Sequence, residues 1–161
     1  MALSQGKNEE ARDFFQTAYE LDERNLEARE YYAASLFYVN EPETALALMH
    51  SDNEEVSDEA ILRRFAASDF VIGSANQFGQ FSFVTDLYEY RVHAEPDAAQ
   101  KWSEDPQTWA SLAFLYHQQN DSEKAVATLN EAKEKIPSFA PTATCIADNI
   151  ENGREPQEGC Q

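Results

Sequence analysis

The sequence predicts an all-α fold, an α-solenoid of antiparallel helix pairs, on three observations. Apolar residues recur at helical spacing, as between Trp109 and Tyr116, where they fall at i, i+3, i+4 and i+7. A second apolar stripe recurs after 34 residues, because Ala11 and Ala45 open the same pattern and 45 − 11 = 34. Most of the 5 glycines and 6 prolines lie at predicted turns. These observations predict about 3.5 helix-pair units and a C-terminal capping helix, in a single domain over residues 1–152.

The first two units are predicted over residues 2–25 and 26–59. In the first unit, the stripe that begins at Ala11 belongs to a second helix, and the turn before that helix is assigned to Gly6. Few residues precede this turn, so the chain is predicted to begin within a repeat. In the second unit, Pro42 is expected to start the second helix, because proline is well placed at a first helical position.

The third unit, residues 60–98, shows the weakest pattern. Gly79 marks its turn and Pro96 marks its end. Relative to a 34-residue period, it carries about five extra residues before it and about seven after it. These insertions are assigned to residues 53–57 and 99–105, which are acidic or polar.

The last unit, residues 106–138, has the best-formed pattern, and its core reads PQTWASLAFLYHQQNDSEKAVATLNEAKEKIP. The repeat signature W-x2-L-G-x2-Y, A-x3-F, P is matched by Trp109, Leu112, Ala113 (for Gly), Tyr116, Ala125, Leu129 (for Phe) and Pro137. The segment resembles a tetratricopeptide repeat, and the weaker resemblance of the other units extends it over residues 2–152. Such repeats stack on their neighbours and form binding surfaces.

The C-terminal part is predicted to be a capping helix over residues 139–152, followed by a flexible tail over 153–161. Gly153 is expected to cap the helix. Cys145 is interpreted as a small buried residue and Cys160 as a free thiol. A disulfide between them stays open as an alternative, because it requires the tail to fold back.

The charge of the chain limits its partners. It has 30 acidic and 12 basic residues, a net charge of −18. Nucleic acid and anionic membrane surfaces are disfavoured, because both require clustered Lys and Arg. No apolar run approaches the length of a membrane span, so direct membrane insertion is not expected. A basic partner would be attracted, whereas the alternative is that the acidity only keeps the protein soluble.

The resemblance implies a non-catalytic protein–protein interaction or scaffold module that binds a peptide or a helix in a concave groove. The groove of such proteins is lined by the first helix of each pair, on the face opposite the packing stripe. The predicted lining is Glu27, Glu30, Tyr31, Phe37, Tyr38, Asp69, Phe70, Asn76, Gln107, Ser111, Phe114, His117 and Gln118. The alternative is that the aromatic members pack internally.

The character of this lining predicts the kind of ligand. It holds no Lys or Arg, so the carboxylate clamp of chaperone-binding members is not expected. Aromatic side chains commonly dominate binding energy, and the carboxylates of Glu27, Glu30 and Asp69 suit a cation. The sequence therefore predicts a basic, amphipathic peptide as ligand.

Two other functions remain open at this stage. The acidic repeat block, with Pro137–Phe139 and the ending Gly153–Pro156, loosely resembles the tetratricopeptide tails of bacterial membrane proteins such as O-antigen ligase-like glycan polymerases. That resemblance implies a soluble accessory domain, in the cytoplasm or the periplasm. The other interpretation is a self-associating assembly domain, a homo-oligomer formed through the incomplete N-terminal repeat.

No pattern in the sequence indicates an enzyme, a metal site or a cofactor. His50, His93 and His117 are scattered and lack the spacing of metal ligands. The acidic run 52–59 lacks the central glycine of an EF-hand loop, and is interpreted as a linker that caps the next helix. Trp102, in the second insertion, is predicted to pack back on the helices.

Overall fold

A computed structural model describes residues 5–96 and 101–160, and this part of the chain contains helices and no strand. The α-helices are α1 (Gln5–Leu21), α2 (Leu26–Tyr38), α3 (Pro42–Ala47), α4 (Asp58–Ala66), α5 (Asp69–Gln77), α6 (Phe81–His93), α7 (Pro106–Gln118), α8 (Ser122–Lys135) and α9 (Ala140–Glu151). Short 3-10 helices cover Trp102–Glu104 and Pro137–Phe139. Predictions made for residues 2–4, 97–100 and 161 lie outside the described residues.

Adjacent helices pack in pairs, which confirms the predicted α-solenoid class of repeated helix pairs. The chain divides into two compact units, Met1–Val84 and Thr85–Gln161, and the division falls within α6. The single-domain boundary at residue 152 stays a prediction. In the described part of the chain, no helix combines the length and the apolar character needed to cross a membrane.

The core of the first unit is built around α2, which packs against α1, α3, α4 and α5. Ala33 and Ala45 are fully buried, and their small side chains let α2 and α3 approach closely. Larger side chains fill the rest of the core: Leu36, Phe37, Ile61, Phe65, Val71 and Phe83. Tyr32, Ala33 and Leu36, which recur at helical spacing in the sequence, are all buried and form part of the packing face of α2.

The core of the second unit joins α7 to α8 and α8 to α9. The signature residues Trp109, Leu112, Ala113, Ala125 and Leu129 are all buried in one hydrophobic cluster. The indole N–H of Trp109 also donates a hydrogen bond to the carbonyl of Ser103 at 2.9 Å. Ile146 and Ile150 bring the predicted capping helix α9 into the same cluster. The residues of the repeat signature are therefore the residues that pack the core of this unit.

The turns between paired helices share one backbone geometry. Asn40, Gly79 and Asn120 have φ values of 61°, 69° and 61°. The residue after each donates its backbone N–H to the carbonyl five positions earlier at 2.9 Å, in the pairs Glu41–Leu36, Gln80–Ala75 and Asp121–Tyr116. This is the Schellman arrangement of a helix C-terminus. Turn spacings of 79 − 40 = 39 and 120 − 79 = 41 residues match the predicted insertions.

Two local predictions are wrong. Gly6 is predicted to form a turn, but it lies in the first turn of α1, where a glycine costs little because the helix is only beginning. The stripe that begins at Ala45 predicts that Met49 lies on the second helix of the repeat over residues 26–59, but α3 ends at Ala47. The additional helix α4 follows, capped by the Ser57 hydroxyl, which accepts a hydrogen bond from the backbone N–H of Ala60 at 3.2 Å. The acidic run does cap this helix, as predicted.

Candidate binding surfaces

Four aromatic rings form a continuous face on the first unit, called here the aromatic face. Phe14 and Phe15 of α1 meet edge to face, with ring centroids 5.5 Å apart. Phe15 stacks on Tyr31 of α2 at 5.3 Å, and Tyr31 contacts Phe70 of α5 at 5.7 Å. The exposed fractions are 69% for Phe14, 37% for Tyr31 and 45% for Phe70. Three helices thus contribute to one apolar surface that water reaches.

A second aromatic pair lies farther along the same two helices. Tyr38 of α2 and Phe78, which caps α5, meet edge to face at 5.0 Å. Tyr38 follows Tyr31 by seven residues, two helical turns, so the two aromatic groups are about 10 Å apart along α2. Gly73 of α5 lies between them in sequence and is exposed, and a Cβ built there meets no atom of the described chain within 4 Å. The strip between the aromatic groups is therefore open.

Exposed carboxylates flank the aromatic face. Glu27 lies one turn before Tyr31 on α2, and Asp69 directly precedes Phe70 on α5. Each lies in the first turn of its helix, where the helix dipole favours an acidic side chain. Neither is paired with a basic residue in the described part of the chain. Asn76 is exposed in the last turn of α5. The surroundings of the aromatic face are thus acidic and polar.

Two residues predicted to line the groove are buried instead. Phe37 is 2% exposed and packs edge to face on Phe83, with ring centroids 5.0 Å apart. The carboxylate of Glu30 accepts hydrogen bonds from Nε of Arg64 and from Oγ of Ser68, the latter at 2.5 Å. The prediction that these two side chains face a ligand is wrong, because α4 and the start of α5 cover that side of α2.

A buried arginine next to this region was not predicted. Arg29 is 1% exposed, and its guanidinium lies 4.9 Å from the ring centroid of Tyr19. It donates hydrogen bonds to the carbonyls of Leu48 at 3.1 Å and His50 at 2.9 Å. No carboxylate among the described residues pairs with it. Arg29 therefore ties the end of α3 to α2, a structural role that a side-chain pattern does not reveal.

In the second unit, five predicted groove residues lie on one helix, α7. They are Gln107, Ser111, Phe114, His117 and Gln118, all exposed or half-buried. The C-terminal residues 155–157 lie against this surface, called here the α7 face. Phe114, His117 and Gln118 share a cleft of about 350 Å³ with Glu155, Pro156 and Gln157. A second cleft of about 240 Å³ joins Gln107 and Ala110 to Gln157 and Cys160. The chain's own tail thus borders the α7 face across these two clefts.

A disulfide holds this tail in place. Cys145 of α9 is bonded to Cys160, so the prediction of a free thiol at Cys160 is wrong. The tail turns back at Gly153, whose φ is 65°. The amide of the buried Asn149 then donates to the carbonyls of Pro156 at 3.1 Å and Glu158 at 2.8 Å. Residues 153–160 accordingly fold back over the unit.

One side chain of the α7 face has an unsatisfied polar atom. Nδ1 of His117 is buried and has no hydrogen-bond partner among the described residues. Leaving such an atom without a partner costs about 1–3 kcal/mol. The tail, which lines the same cleft, therefore does not satisfy this nitrogen.

A polar cluster lies elsewhere in the second unit. The hydroxyl of Tyr116 donates a hydrogen bond to the carboxylate of Glu89, and burial together with that carboxylate raises the pKa of Tyr116. His93 contacts Glu89 at 3.2 Å and Glu131 at 3.6 Å. Partial desolvation and the neighbouring Glu89 also raise the pKa of Asp86, although this residue is exposed to solvent. Glu89 contacts both Tyr116 and His93, which fits a structural role.

Trp102 packs back on the helices, as predicted. Its ring centroid lies 6.3 Å from that of Tyr90, and the guanidinium of Arg91 lies 5.4 Å from the indole. The aromatic residues that the sequence-based lining left out are Phe14, Phe15 and Phe78. Phe14 had a usable signal, because it adjoins Phe15 of the packing stripe and points about 100° away from it around the helix.

Comparison with protein families identifies the type of repeat that α7 and α8 form. Residues 106–137 match the family model described as Tetratricopeptide repeat. The chain contains a tetratricopeptide repeat. This repeat comprises α7, α8 and the turn at Asn120. No curated protein and no solved structure matches the chain. Tetratricopeptide repeats are typically non-catalytic interaction modules, so protein binding is the activity that the repeat indicates.

Proposed function

We propose that the chain is a non-catalytic interaction module that binds a basic, amphipathic peptide segment on the aromatic face of its first unit. The observation that carries this proposal is the contact of Phe14, Phe15, Tyr31 and Phe70 in one row, in which Phe15 is half-buried and the other three rings are exposed. Monomeric proteins rarely expose contiguous apolar patches of this kind without a binding role.

The packing of the rings favours binding by lowering its entropic cost. Tyr31 is held between Phe15 and Phe70 at centroid distances of 5.3 and 5.7 Å, so it does not have to be ordered when a ligand arrives. Immobilising a side chain at an interface costs about 0.5–1.5 kcal/mol. A preformed aromatic row avoids much of that cost and offers the type of residue that dominates interface energetics.

The shape of the surface favours an elongated ligand. The open strip beside Gly73 connects the aromatic face to the Tyr38–Phe78 pair, about 10 Å away along α2. Two turns of an amphipathic helix span this distance. Such a helix would place one apolar anchor at each aromatic group, as in helix-in-groove recognition.

The negative charge around the aromatic face favours a basic partner. Glu27 and Asp69 flank the rings, and the whole chain carries a net charge of −18. Attraction between opposite charges speeds association and discriminates between partners. The same charge opposes the binding of a second copy of this chain to the aromatic face. We therefore favour a basic partner over self-association.

The proposal is tested by titrating two designed 18-residue helical peptides into the protein by calorimetry. Both carry Leu and Phe at i, i+3, i+4 and i+7; one has Lys on its polar face and the other has Glu. The Lys peptide should bind with a Kd of about 1–100 μM, with affinity that falls as salt rises. Equal binding of the two peptides, or preference for the Glu peptide, would overturn the proposal.

A further inference from the structure

We propose that residues 155–160 are a built-in ligand of the α7 face, and that the Cys145–Cys160 disulfide is the latch that keeps them there. In this proposal the α7 face is a second interaction surface. It is closed while the disulfide is intact and open when the disulfide is reduced. It lies in the second unit and does not rest on the function proposed for the aromatic face.

The position of the tail supports its role as an occupant. Pro156 and Gln157 line one cleft with Phe114 and His117, and Gln157 also lines the next cleft along α7. The tail therefore runs along the helix face from Gln118 toward Gln107. In tetratricopeptide-like packing, this is the face predicted to receive a peptide.

Few noncovalent contacts hold the tail. Asn149 supplies two hydrogen bonds to its carbonyls, and the N–H of Arg154 reaches the carbonyl of Asn149 at 2.8 Å. Between Gly153 and Gly159, all residues but Pro156 are exposed. Nδ1 of His117 on the α7 face receives no hydrogen bond from the tail or from any other described residue. A segment anchored this weakly depends on its covalent attachment.

The disulfide supplies that attachment. It joins residues separated by 15 positions, and closing a loop of this size favours the folded arrangement by roughly 100-fold relative to the open chain. Cys160 also packs against the hydrophobic cluster of the unit. Loss of the bond would release the tail while leaving the α7–α8–α9 core intact.

Opening requires a dithiol reductant. One thiolate of the reductant attacks a sulfur of the Cys145–Cys160 bond and forms a mixed disulfide. The second thiolate displaces the protein sulfur and closes the reductant into its own disulfide. Two electrons and two protons pass to the protein, which ends with two thiols. Cys160 is half-buried, so the bond lies near the surface where a reductant can approach.

The test combines hydrogen exchange with hydroxyl-radical footprinting of the full chain. Oxidised protein, protein reduced with dithiothreitol, and the variant Cys160→Ser are compared. The hydrogen-bonded backbone amides at positions 154, 158 and 160 report on the tail. Oxidation of Phe114 and His117 reports on the α7 face. Phe14 in the first unit, which is 69% exposed, is the internal reference.

Reduction should lower the protection of residues 154–160 by about 10- to 100-fold, the range set by the loop closure. Phe114 and His117 should be oxidised at least about 3-fold faster relative to Phe14, since the faces of both side chains lose their cover. The α8 amides should keep their protection, and dithiothreitol should have no effect on Cys160→Ser. Unchanged tail protection on reduction would overturn the proposal. Loss of hydrogen-exchange protection in α8 would also overturn it, because the disulfide would then stabilise the whole unit and not only the tail.

Discussion

Asn40 and Asn120 occupy the same backbone conformation, φ 61°, although 80 residues separate them. Each ends the first helix of a pair, and in each case the next residue closes the helix with a backbone hydrogen bond of 2.9 Å. This equivalence shows that the first unit uses the same helix-ending turn as the recognised repeat. The turn residue differs only at Gly79, where glycine meets the same conformational demand.

The shared turn predicts a specific response to substitution. Asn40→Ala should destabilise the protein by about 1 kcal/mol, because a left-handed conformation is costly for residues other than Gly, Asn and Asp. Asn40→Gly should change the free energy of unfolding by less than about 0.5 kcal/mol. Urea denaturation followed by circular dichroism measures both. Equal effects of Ala and Gly would show that the turn is not held in this conformation.

Substitution of the buried Arg29 should destabilise the protein more than substitution of Asn40. Arg29→Met should cost about 2–4 kcal/mol, because the carbonyls of Leu48 and His50 lose their buried donor. Arg24→Ala is the matched control: Arg24 is exposed and forms ion pairs with Asp22 and Glu55. It should leave the denaturation midpoint almost unchanged. Similar shifts for the two variants would contradict the role of Arg29.

The raised pKa of Asp86 predicts a pH-dependent effect. Partial desolvation of the exposed Asp86 and the nearby Glu89 raise the pKa of Asp86 above 3.8 in the folded protein, so its ionised form opposes folding. This penalty is present above the folded pKa and disappears as the pH falls below the unfolded pKa. Asp86→Asn should therefore stabilise the protein at pH 7, by about 0.3 kcal/mol, and have little effect near pH 3.

Asp121 serves as the control, because its pKa is lowered by folding whereas that of Asp86 is raised. Its carboxylate accepts a hydrogen bond from the backbone N–H of Lys124 at 3.1 Å, and this contact lowers the pKa of Asp121. The stabilising contribution is present above the unfolded pKa and is lost as the pH falls through the folded pKa. Asp121→Ala should destabilise at pH 7 and lose that effect in acid. Parallel pH profiles for the two variants would contradict the assignment.

Alanine substitutions at two aromatic residues of α2 should differ in their effect on stability, because one residue lies in the core and the other at the surface. Phe37→Ala should cost about 3–5 kcal/mol, since Phe37 is buried against Phe83. Tyr31→Ala should cost much less, because 37% of Tyr31 is exposed. Thermal denaturation of both variants provides the measurement. A larger loss for Tyr31 would mean that the aromatic face is part of the core.

Local rules made much of the fold predictable. Helix periodicity, the turn positions at Asn40, Gly79 and Asn120, and the cap at Gly153 all depend on residues within one or two helical turns of each other. The core of the last repeat followed from the same signature, because the spacing of its residues is the spacing of one packing face.

Nonlocal contacts were not predictable from spacing. The burial of Glu30 depends on Arg64 and Ser68, which lie 34 and 38 residues later in the chain. The stacking of Phe15 on Tyr31 depends on how α1 packs against α2. The Cys145–Cys160 bond depends on the reversal at Gly153 and on the donors of Asn149. Each of these three contacts depends on how helices that are distant in the sequence are positioned, and residue spacing does not predict that position.

The central claim, that the aromatic face binds a basic amphipathic peptide, is tested most directly by titrating the Lys peptide into three proteins. These are wild type, Tyr31→Ala and Gly73→Lys, the last of which puts a cation into the open strip. We expect both variants to bind at least about 10-fold more weakly than wild type, because one removes the central ring and the other repels the ligand. Gly73→Ala, which adds only a methyl group where no neighbour lies within 4 Å, should bind like wild type. Unchanged affinity of Tyr31→Ala and Gly73→Lys would show that the peptide binds elsewhere, and would contradict the account.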